Sequence, residues 1–355
     1  MIGPALVVAV LLLVLLCPSD QVTRQSFWAL RDRWILVSAW LAAALLLLHD
    51  WPLGCAGASV LVRWHAHEAT PPKQPHQLLE SLTVWIAILG WYLLVQALPP
   101  AVLAWCPTLF TACLGVHSLA VVGDWHWRAG HRAYFTRGLT GQRGLTGAML
   151  ALLTPFAWAL HPAWALLALP GLVLTDSWLA WLALGAAWAV YWPRSLWLTV
   201  PVVLGAAGAL SRASWRNRLD RTPRGTSLDG PLQRVWSVGL LLAVWVKEGY
   251  WRVGRGPDAS LNDLVGLMYR YFPHRPARII SGHVHNEYVE WAYEGGLLAV
   301  LAMLGIGWRV GQHLVAGDPW SAAAVAGAVL AGGTLLTKSA STGLVWLTIL
   351  AVVAR

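Results

Sequence analysis

Histidine, asparagine and glutamate cluster where a polar segment of the chain meets an apolar run. The segment reads Ser281-Gly282-His283-Val284-His285-Asn286-Glu287-Tyr288. A histidine beside Asn and Glu suits general base catalysis, because an unperturbed imidazole titrates close to neutral pH. His283 and His285 also form an H-x-H pair, but a catalytic zinc site needs three protein ligands. No third ligand follows at a recognisable spacing, so the pattern favours His285 as a base, with no metal or other cofactor.

Two acids follow the histidines at the start of the apolar run. Glu290 and Glu294 are four residues apart, which places them on one face of a helix. Acidic side chains near a helix N-terminus complement its dipole, so simple capping electrostatics explains them as well as a catalytic role does.

Arginine and lysine concentrate in two polar segments, residues 124–144 and 211–288. The first holds four arginines against one acid, and the second holds twelve Lys/Arg and six Asp/Glu, so together they carry 16 of the chain's 25 cations. Four apolar runs separate the two segments, which predicts that both emerge on the same face of a membrane.

The composition sets the class of protein that must position these residues. Of the 355 residues, 57% are hydrophobic and only 12% are charged, and the mean hydropathy is +0.57. Soluble domains carry about 25% charged residues. The four cysteines have no CxxC or zinc spacing, and the 25 tryptophans suit a membrane-interface belt. These values exclude a water-soluble enzyme, a disordered chain and a disulfide scaffold, and nothing in them indicates a nucleic-acid partner.

The apolar runs predict an all-α, polytopic membrane protein with about 11–12 transmembrane helices, since about 17–25 apolar residues cross a bilayer. The segment 53–64 is too short to cross alone and would be the twelfth. Three regions form one integrated membrane domain: a helix bundle over 1–210, an extracytoplasmic and partly helical loop over 211–288, and further spans over 289–355. The eleven longer candidates are residues 2–17, 34–48, 82–98, 101–123, 145–160, 162–175, 177–192, 195–210, 289–308, 321–336 and 342–353.

The residues around His285 carry a resemblance to a known family. His285-Asn286 followed by Glu294-x-Gly296 resembles the signature of the O-antigen ligase and O-antigen polymerase superfamily, which reads HN and then E-x-G-x-x-G. Ala299 stands where the family has its final glycine.

Three further stretches follow the family's order. Arg137-Gly138-Leu139-Thr140-Gly141 resembles the R-x-x-G turn before the middle helices, and residues 228–236, with Arg234 and Trp236, resemble the start of the loop helix. Gly254-Arg255-Gly256-Pro257 resembles the G-x-G-P turn that follows it. The resemblance covers about residues 79–353.

The resemblance implies a GT-C-like membrane glycosyltransferase that transfers a glycan from a polyprenyl (undecaprenyl) diphosphate to an acceptor hydroxyl. His285 is then the general base, and Asn286 and Glu294 hold or orient it. Arg137, Arg234 and Arg255 bind the diphosphate, because guanidinium groups match phosphate bidentately. The expected partners are the lipid-linked donor, a glycan, lipid or protein acceptor, and membrane lipids.

One family arginine is missing at its expected place. Trp178, after Thr175-Asp176-Ser177, occupies the position of the arginine in the family's Ser-Arg pair, and Arg212 in Ser211-Arg212-Ala213 is the candidate replacement. Arg270 and Arg278 are further candidates for diphosphate binding on charge and position alone.

Charge and resemblance disagree on orientation. The positive-inside rule favours a cytoplasmic loop, although loops longer than about 60 residues escape the rule. The resemblance places the loop in the periplasm or cell exterior of a bacterial inner membrane, and with the N-terminus inside this requires the segment 53–64 to complete a ninth span.

Two interpretations stay open beside a ligase. A polymerase or a protein O-oligosaccharyltransferase shares the His-Asn segment and differs in its acceptor. A transporter or flippase for an anionic lipid would use the same cations as a path, although no inverted repeat is evident and mid-span charges are nearly absent.

Overall fold

The chain is all-α wherever its structure is described. The computed structural model describes residues 91–92, 94–128, 138–140, 143–175, 177–191, 231–256, 259–271, 284–314, 317–334, 336 and 340–355. These residues form helices, turns and short connections, with no strand among them. The predicted all-α class is confirmed for these residues.

The helices fall into two compact units. The first unit takes its described residues from 91–191 and 309–355, and the second takes them from 231–308. The helices are α1 Pro100–Leu103, α2 Cys106–Arg128, α3 Arg143–Leu160, α4 Pro162–Ala165, α5 Ala168–Thr175, α6 Trp178–Tyr191, α7 Pro231–Lys247, α8 Ala259–Tyr271, α9 Glu287–His313, α10 Pro319–Ala331 and α11 Ala340–Val353.

The first unit packs α3 against α2, α6 and α10. Phe110, Phe156 and Trp320 meet edge to face at its core, with ring centroids 4.8–6.0 Å apart. Small residues let the helices approach closely: a Cβ at Gly327 of α10 would overlap the indole of Trp346 on α11. Such small-residue contacts are typical of helix packing in membranes.

The second unit has its own small apolar core. The buried residues of this core include Leu241 and Val244 of α7, Leu264 of α8, Tyr293 of α9, and Val284, which lies just before α9. This core brings α7 and α8 against the first turns of α9, where the histidine and glutamate cluster lies in the sequence.

Helices are present at most of the predicted spans that the structure describes. Seven predicted spans coincide with helices. The span 101–123 coincides with α1 and α2 together, and the span 162–175 with α4 and α5 together. The other five coincide with α3, α6, α9, α10 and α11. Differences lie at the ends: α2 continues past the predicted end at residue 123 to Arg128, because a helix backbone does not stop where polar side chains begin. The run 162–175 is divided by a turn at residues 166–167, and α10 stops at Ala331 before Gly332 and Gly333.

Two described helical stretches are long and apolar enough to cross a membrane: Pro100–His126, which joins α1 to most of α2, and Glu287–His313, which is α9. The other apolar helices are shorter. The predicted spans 2–17, 34–48, 53–64 and 195–210 lie outside the described residues, as does most of 82–98. The predicted number of spans therefore stays a prediction.

Candidate functional site

His285 lies just before the first turn of α9 in a left-handed backbone conformation, with φ of 57°. Among the described residues it is the one non-glycine residue with positive φ. This conformation costs about 1–3 kcal/mol outside glycine and persists where the surrounding structure enforces it. Such residues concentrate at functional sites.

Both neighbours of His285 are held by hydrogen bonds to α9. The amide of Val284 donates to Glu290 Oε1 at 3.1 Å, and Asn286 Oδ1 accepts from the amide of Val289 at 3.0 Å. Asn286 is thus the N-cap of α9, a position that asparagine favours. The main chain on either side of His285 is fixed to the helix that follows it.

The turn at residues 254–256 is bonded to a break in α9. Gly296 departs from helical geometry with φ of 59° and ψ of −151°. A regular helix would pair the carbonyls of Tyr293 and Glu294 with amides four residues later. At this break the Tyr293 carbonyl accepts from the amide of Arg255 at 2.9 Å, and the Glu294 carbonyl accepts from the amide of Gly256 at 3.1 Å. Two separate stretches of the family resemblance are therefore joined through main-chain bonds.

The two glycines at this junction are in direct backbone contact. A Cβ at Gly254 would overlap the carbonyl of Glu294, and a Cβ at Gly296 would overlap the amide of Gly254. Both glycines also have positive φ, so side-chain volume and backbone conformation each require glycine there.

The Arg255 side chain is held by groups from three helices or their ends. Its Nε donates to Asp263 Oδ2 of α8 at 3.0 Å, and its guanidinium lies 5.5 Å from the ring centre of Tyr250, which follows α7. The Tyr293 hydroxyl of α9 donates to the same carboxylate oxygen at 2.9 Å. Burial would lower the pKa of Arg255, but the Asp263 charge, with Tyr250 and the hydrogen bond to Asp263, raises it above its ordinary value.

The acids at the start of α9 are buried rather than displayed to solvent. Glu290 and Glu294 are each 2% exposed and Glu287 is 3% exposed. The Ser260 hydroxyl of α8 donates to Glu294 Oε1 at 2.6 Å. Glu290 and Glu294 therefore tie the preceding loop and α8 to α9. The expected action of Asn286 and Glu294 on the His285 ring stays a prediction.

The other candidate arginines are not brought into this cluster by the described structure. Arg270 is exposed in the last turn of α8, where a cation complements the helix dipole. Arg234 lies in the first turn of α7, as the resemblance predicts, but its side chain is not described. Arg137, Arg212 and Arg278 lie outside the described residues.

Residues 138–140, within the R-x-x-G stretch, form a turn before α3, as expected. Gly138 has φ of 55°, and its amide donates to Asp124 Oδ2 at 3.4 Å. Trp178, at the position of the missing family arginine, is the first residue of α6.

Four residues of the site were not found from the sequence: Tyr250, Ser260, Asp263 and Tyr293. Tyr293 precedes Glu294 within a stretch that carries the resemblance, so its position in the sequence could have identified it as a site residue. Asp263 and Ser260 belong to no motif, and only the packing of α8 against α9 reveals them.

Comparison with known proteins finds no family model that matches this chain and no curated protein that matches it.

Proposed function

We propose that this chain is a polytopic membrane glycosyltransferase of the O-antigen ligase type, which transfers a glycan from a polyprenyl diphosphate to an acceptor hydroxyl without a metal. The observation that carries the proposal is the arrangement on α9. The helix is preceded by a histidine in an enforced left-handed conformation, and it binds an arginine turn at its break.

The distance along α9 between the attachments of His285 and Arg255 matches the length of a single substrate. Tyr293 comes six positions after Glu287, which is a rise of about 9 Å at ~1.5 Å per residue. The main chain beside His285 and the main chain of Arg255 are attached near the two ends of this stretch. A diphosphate with its first sugar covers such a length, with the phosphates at the arginine and the acceptor at the histidine.

The proposed reaction uses the imidazole and the guanidinium at opposite ends of one displacement. His285 accepts the proton of the acceptor hydroxyl, whose oxygen forms a bond to the anomeric carbon. The bond from that carbon to the diphosphate oxygen breaks, and the electron pair leaves with the diphosphate. Arg255 stabilises this charge, the kind of electrostatic effect that is usually the largest in catalysis.

Further cations are expected to share the diphosphate. Arg137 and Arg234 are the candidates from the resemblance, and Arg212, Arg270 and Arg278 are the candidates from charge and position. Each is a proposal about a residue whose side chain, apart from that of Arg270, lies outside the described structure.

Exposed apolar stripes support the membrane part of the proposal. Leu297, Leu301, Leu304 and Trp308 follow one face of α9, with Leu304 64% and Trp308 69% exposed. Leu119 and Trp125 are likewise exposed on α2. Stripes of this kind on long apolar helices suit contact with lipid chains. We place the site on the outer face of a bacterial inner membrane.

The test uses the purified full chain with a polyprenyl-diphosphate-linked glycan and candidate acceptors. Wild-type protein is expected to release free polyprenyl diphosphate in step with product, and His285→Ala is expected to reduce transfer about 10²–10⁴-fold. His126→Ala, which removes an exposed histidine from α2, is the matched control. Unchanged transfer in His285→Ala would remove the base from the proposal. Movement of the donor across a vesicle without its cleavage would identify a transporter instead.

A further inference from the structure

One carboxylate oxygen joins the proposed diphosphate ligand to α9. Asp263 Oδ2 accepts from Arg255 Nε at 3.0 Å and from the Tyr293 hydroxyl at 2.9 Å. Arg255 and Tyr293 are also bonded directly, because the Arg255 amide donates to the Tyr293 carbonyl. Arg255 is therefore tied to one residue of α9 twice, once through its main chain and once through Asp263.

We infer that Asp263 and Tyr293 are positioning residues that hold the Arg255 guanidinium ready for the leaving diphosphate. The inference rests on the proposed function, in which Arg255 binds that group. Neither residue is among those that carry the family resemblance.

Asp263 and Tyr250 hold the Arg255 guanidinium at its Nε edge and against one ring face. Asp263 engages Nε, and within the described part of the chain the terminal nitrogens Nη1 and Nη2 make no hydrogen bond. The Tyr250 ring lies against the guanidinium and meets the Tyr293 ring edge to face, with centroids 5.8 Å apart. A long side chain that would otherwise rotate is thereby restricted before the ligand arrives, which lowers the entropy that binding must remove.

The negative charge of Asp263 opposes the binding of an anionic ligand, whereas its positioning of Arg255 favours that binding. A carboxylate beside a guanidinium offsets its charge and repels an anionic ligand. The side chains of Arg255 and Asp263 are 34% and 27% exposed, so water screens that repulsion. Positioning and charge compensation therefore predict opposite signs for the removal of Asp263, and the proposal commits to positioning.

The first measurement isolates geometry from charge. Tyr293→Phe removes only the hydroxyl that bonds Asp263 and leaves every charge in place. The dissociation constant for inorganic pyrophosphate, measured on the full chain in detergent, is expected to rise about fivefold, as for the loss of one hydrogen bond. Tyr92→Phe removes a hydroxyl that accepts a bond from Gln96 in the first unit, and it is the matched control with no expected change.

The second measurement tests whether the removal of Asp263 weakens or strengthens pyrophosphate binding. Asp263→Ala is expected to weaken pyrophosphate binding about tenfold or more, because Arg255 loses its charge-assisted anchor. Asp263→Asn keeps an acceptor oxygen and is expected to lie between wild type and Asp263→Ala. Tighter binding by Asp263→Ala would show that Asp263 only offsets charge and would overturn the inference. Asp318→Ala, which removes the N-cap carboxylate of α10, controls for the loss of a bonded aspartate.

The third measurement separates positioning from general support of the fold. In an Arg255→Gln background, Tyr293→Phe is expected to have no further effect on the remaining pyrophosphate affinity, because the residue that it positions is gone. An equal fivefold loss in that background would mean that Tyr293 acts through the fold, and it would overturn the inference.

The outcomes distinguish this inference from the proposed function. Pyrophosphate binding that is weakened in Arg255→Gln but unchanged in Tyr293→Phe and Asp263→Ala overturns the positioning role alone. A wild-type chain that binds neither pyrophosphate nor a polyprenyl diphosphate overturns both.

Discussion

Gly254 and Gly296 pack backbone against backbone, with φ of 78° and 59°. A Cβ at Gly254 would overlap the main chain of Glu294, and a Cβ at Gly296 would overlap that of Gly254. Gly254→Ala or Gly296→Ala is expected to lower the free energy of unfolding by about 2 kcal/mol or more, through positive φ and overlap together. Thermal unfolding of the full chain, followed by tryptophan fluorescence, measures this loss.

The control for that prediction is another glycine of α9. Gly307 is helical and exposed, and a Cβ added there would meet nothing within 4 Å. Gly307→Ala is expected to be neutral or to stabilise by up to about 1 kcal/mol. Equal unfolding temperatures for Gly296→Ala and Gly307→Ala would contradict the close backbone contact.

Two substitutions of His285 separate its conformation from its chemistry. His285→Gly and His285→Ala both remove the imidazole, so both are expected to lose transfer. Glycine adopts positive φ without strain, so His285→Gly is expected to be more stable than His285→Ala by about 1 kcal/mol. Parallel measurement of transfer and unfolding temperature checks both. Transfer by either variant at the wild-type rate would contradict the base assignment, and equal stabilities would contradict the strained backbone.

The exposed stripe of α9 predicts how the helix tolerates charge. Leu304→Arg places a guanidinium where we expect lipid chains, and a charge at mid-helix costs about 3 kcal/mol on insertion. We expect loss of carbonate-resistant protein from the membrane fraction. Gln312→Arg, exposed near the end of α9, makes the same replacement outside the apolar stretch and is expected to be tolerated. Equal membrane fractions for the two variants would contradict a lipid-facing α9.

Single cysteines at the ends of α7 and α9 report on orientation. In a chain whose four cysteines have been replaced, Glu248→Cys lies in the exposed turn after α7, and Gln312→Cys lies near the far end of α9. If α9 crosses the membrane from an exterior site, an impermeant maleimide labels residue 248 in intact cells and residue 312 only after lysis. The reverse pattern would place the site in the cytoplasm.

The helices were predictable from the sequence because most of the apolar runs are longer than a typical strand, and length separates helices from buried strands. The bend at residues 254–256 was predictable in part, since its two glycines allow positive φ, which other residues rarely adopt. Helix ends were less predictable, as at Arg128, because polar residues continue a helix that apolar ones begin.

The contacts of the site were not predictable in the same way. The bonds of Asp263 to Arg255 and Tyr293 depend on how α8 packs against α9, and no local pattern encodes that packing. The break at Gly296 was also hidden, because glycine occurs in unbroken helices at a modest cost. The expected partnership of Glu294 with His285 came from resemblance alone, whereas the bond from Ser260 to Glu294 is set by the fold.

The main chain at His285 is anchored through the bonds of its neighbours, Val284 and Asn286, to α9. The direction in which the imidazole leaves the main chain is therefore set by α9 itself. None of these anchoring bonds uses the imidazole, so the proposed reaction adds a proton to the ring and removes it again without breaking them.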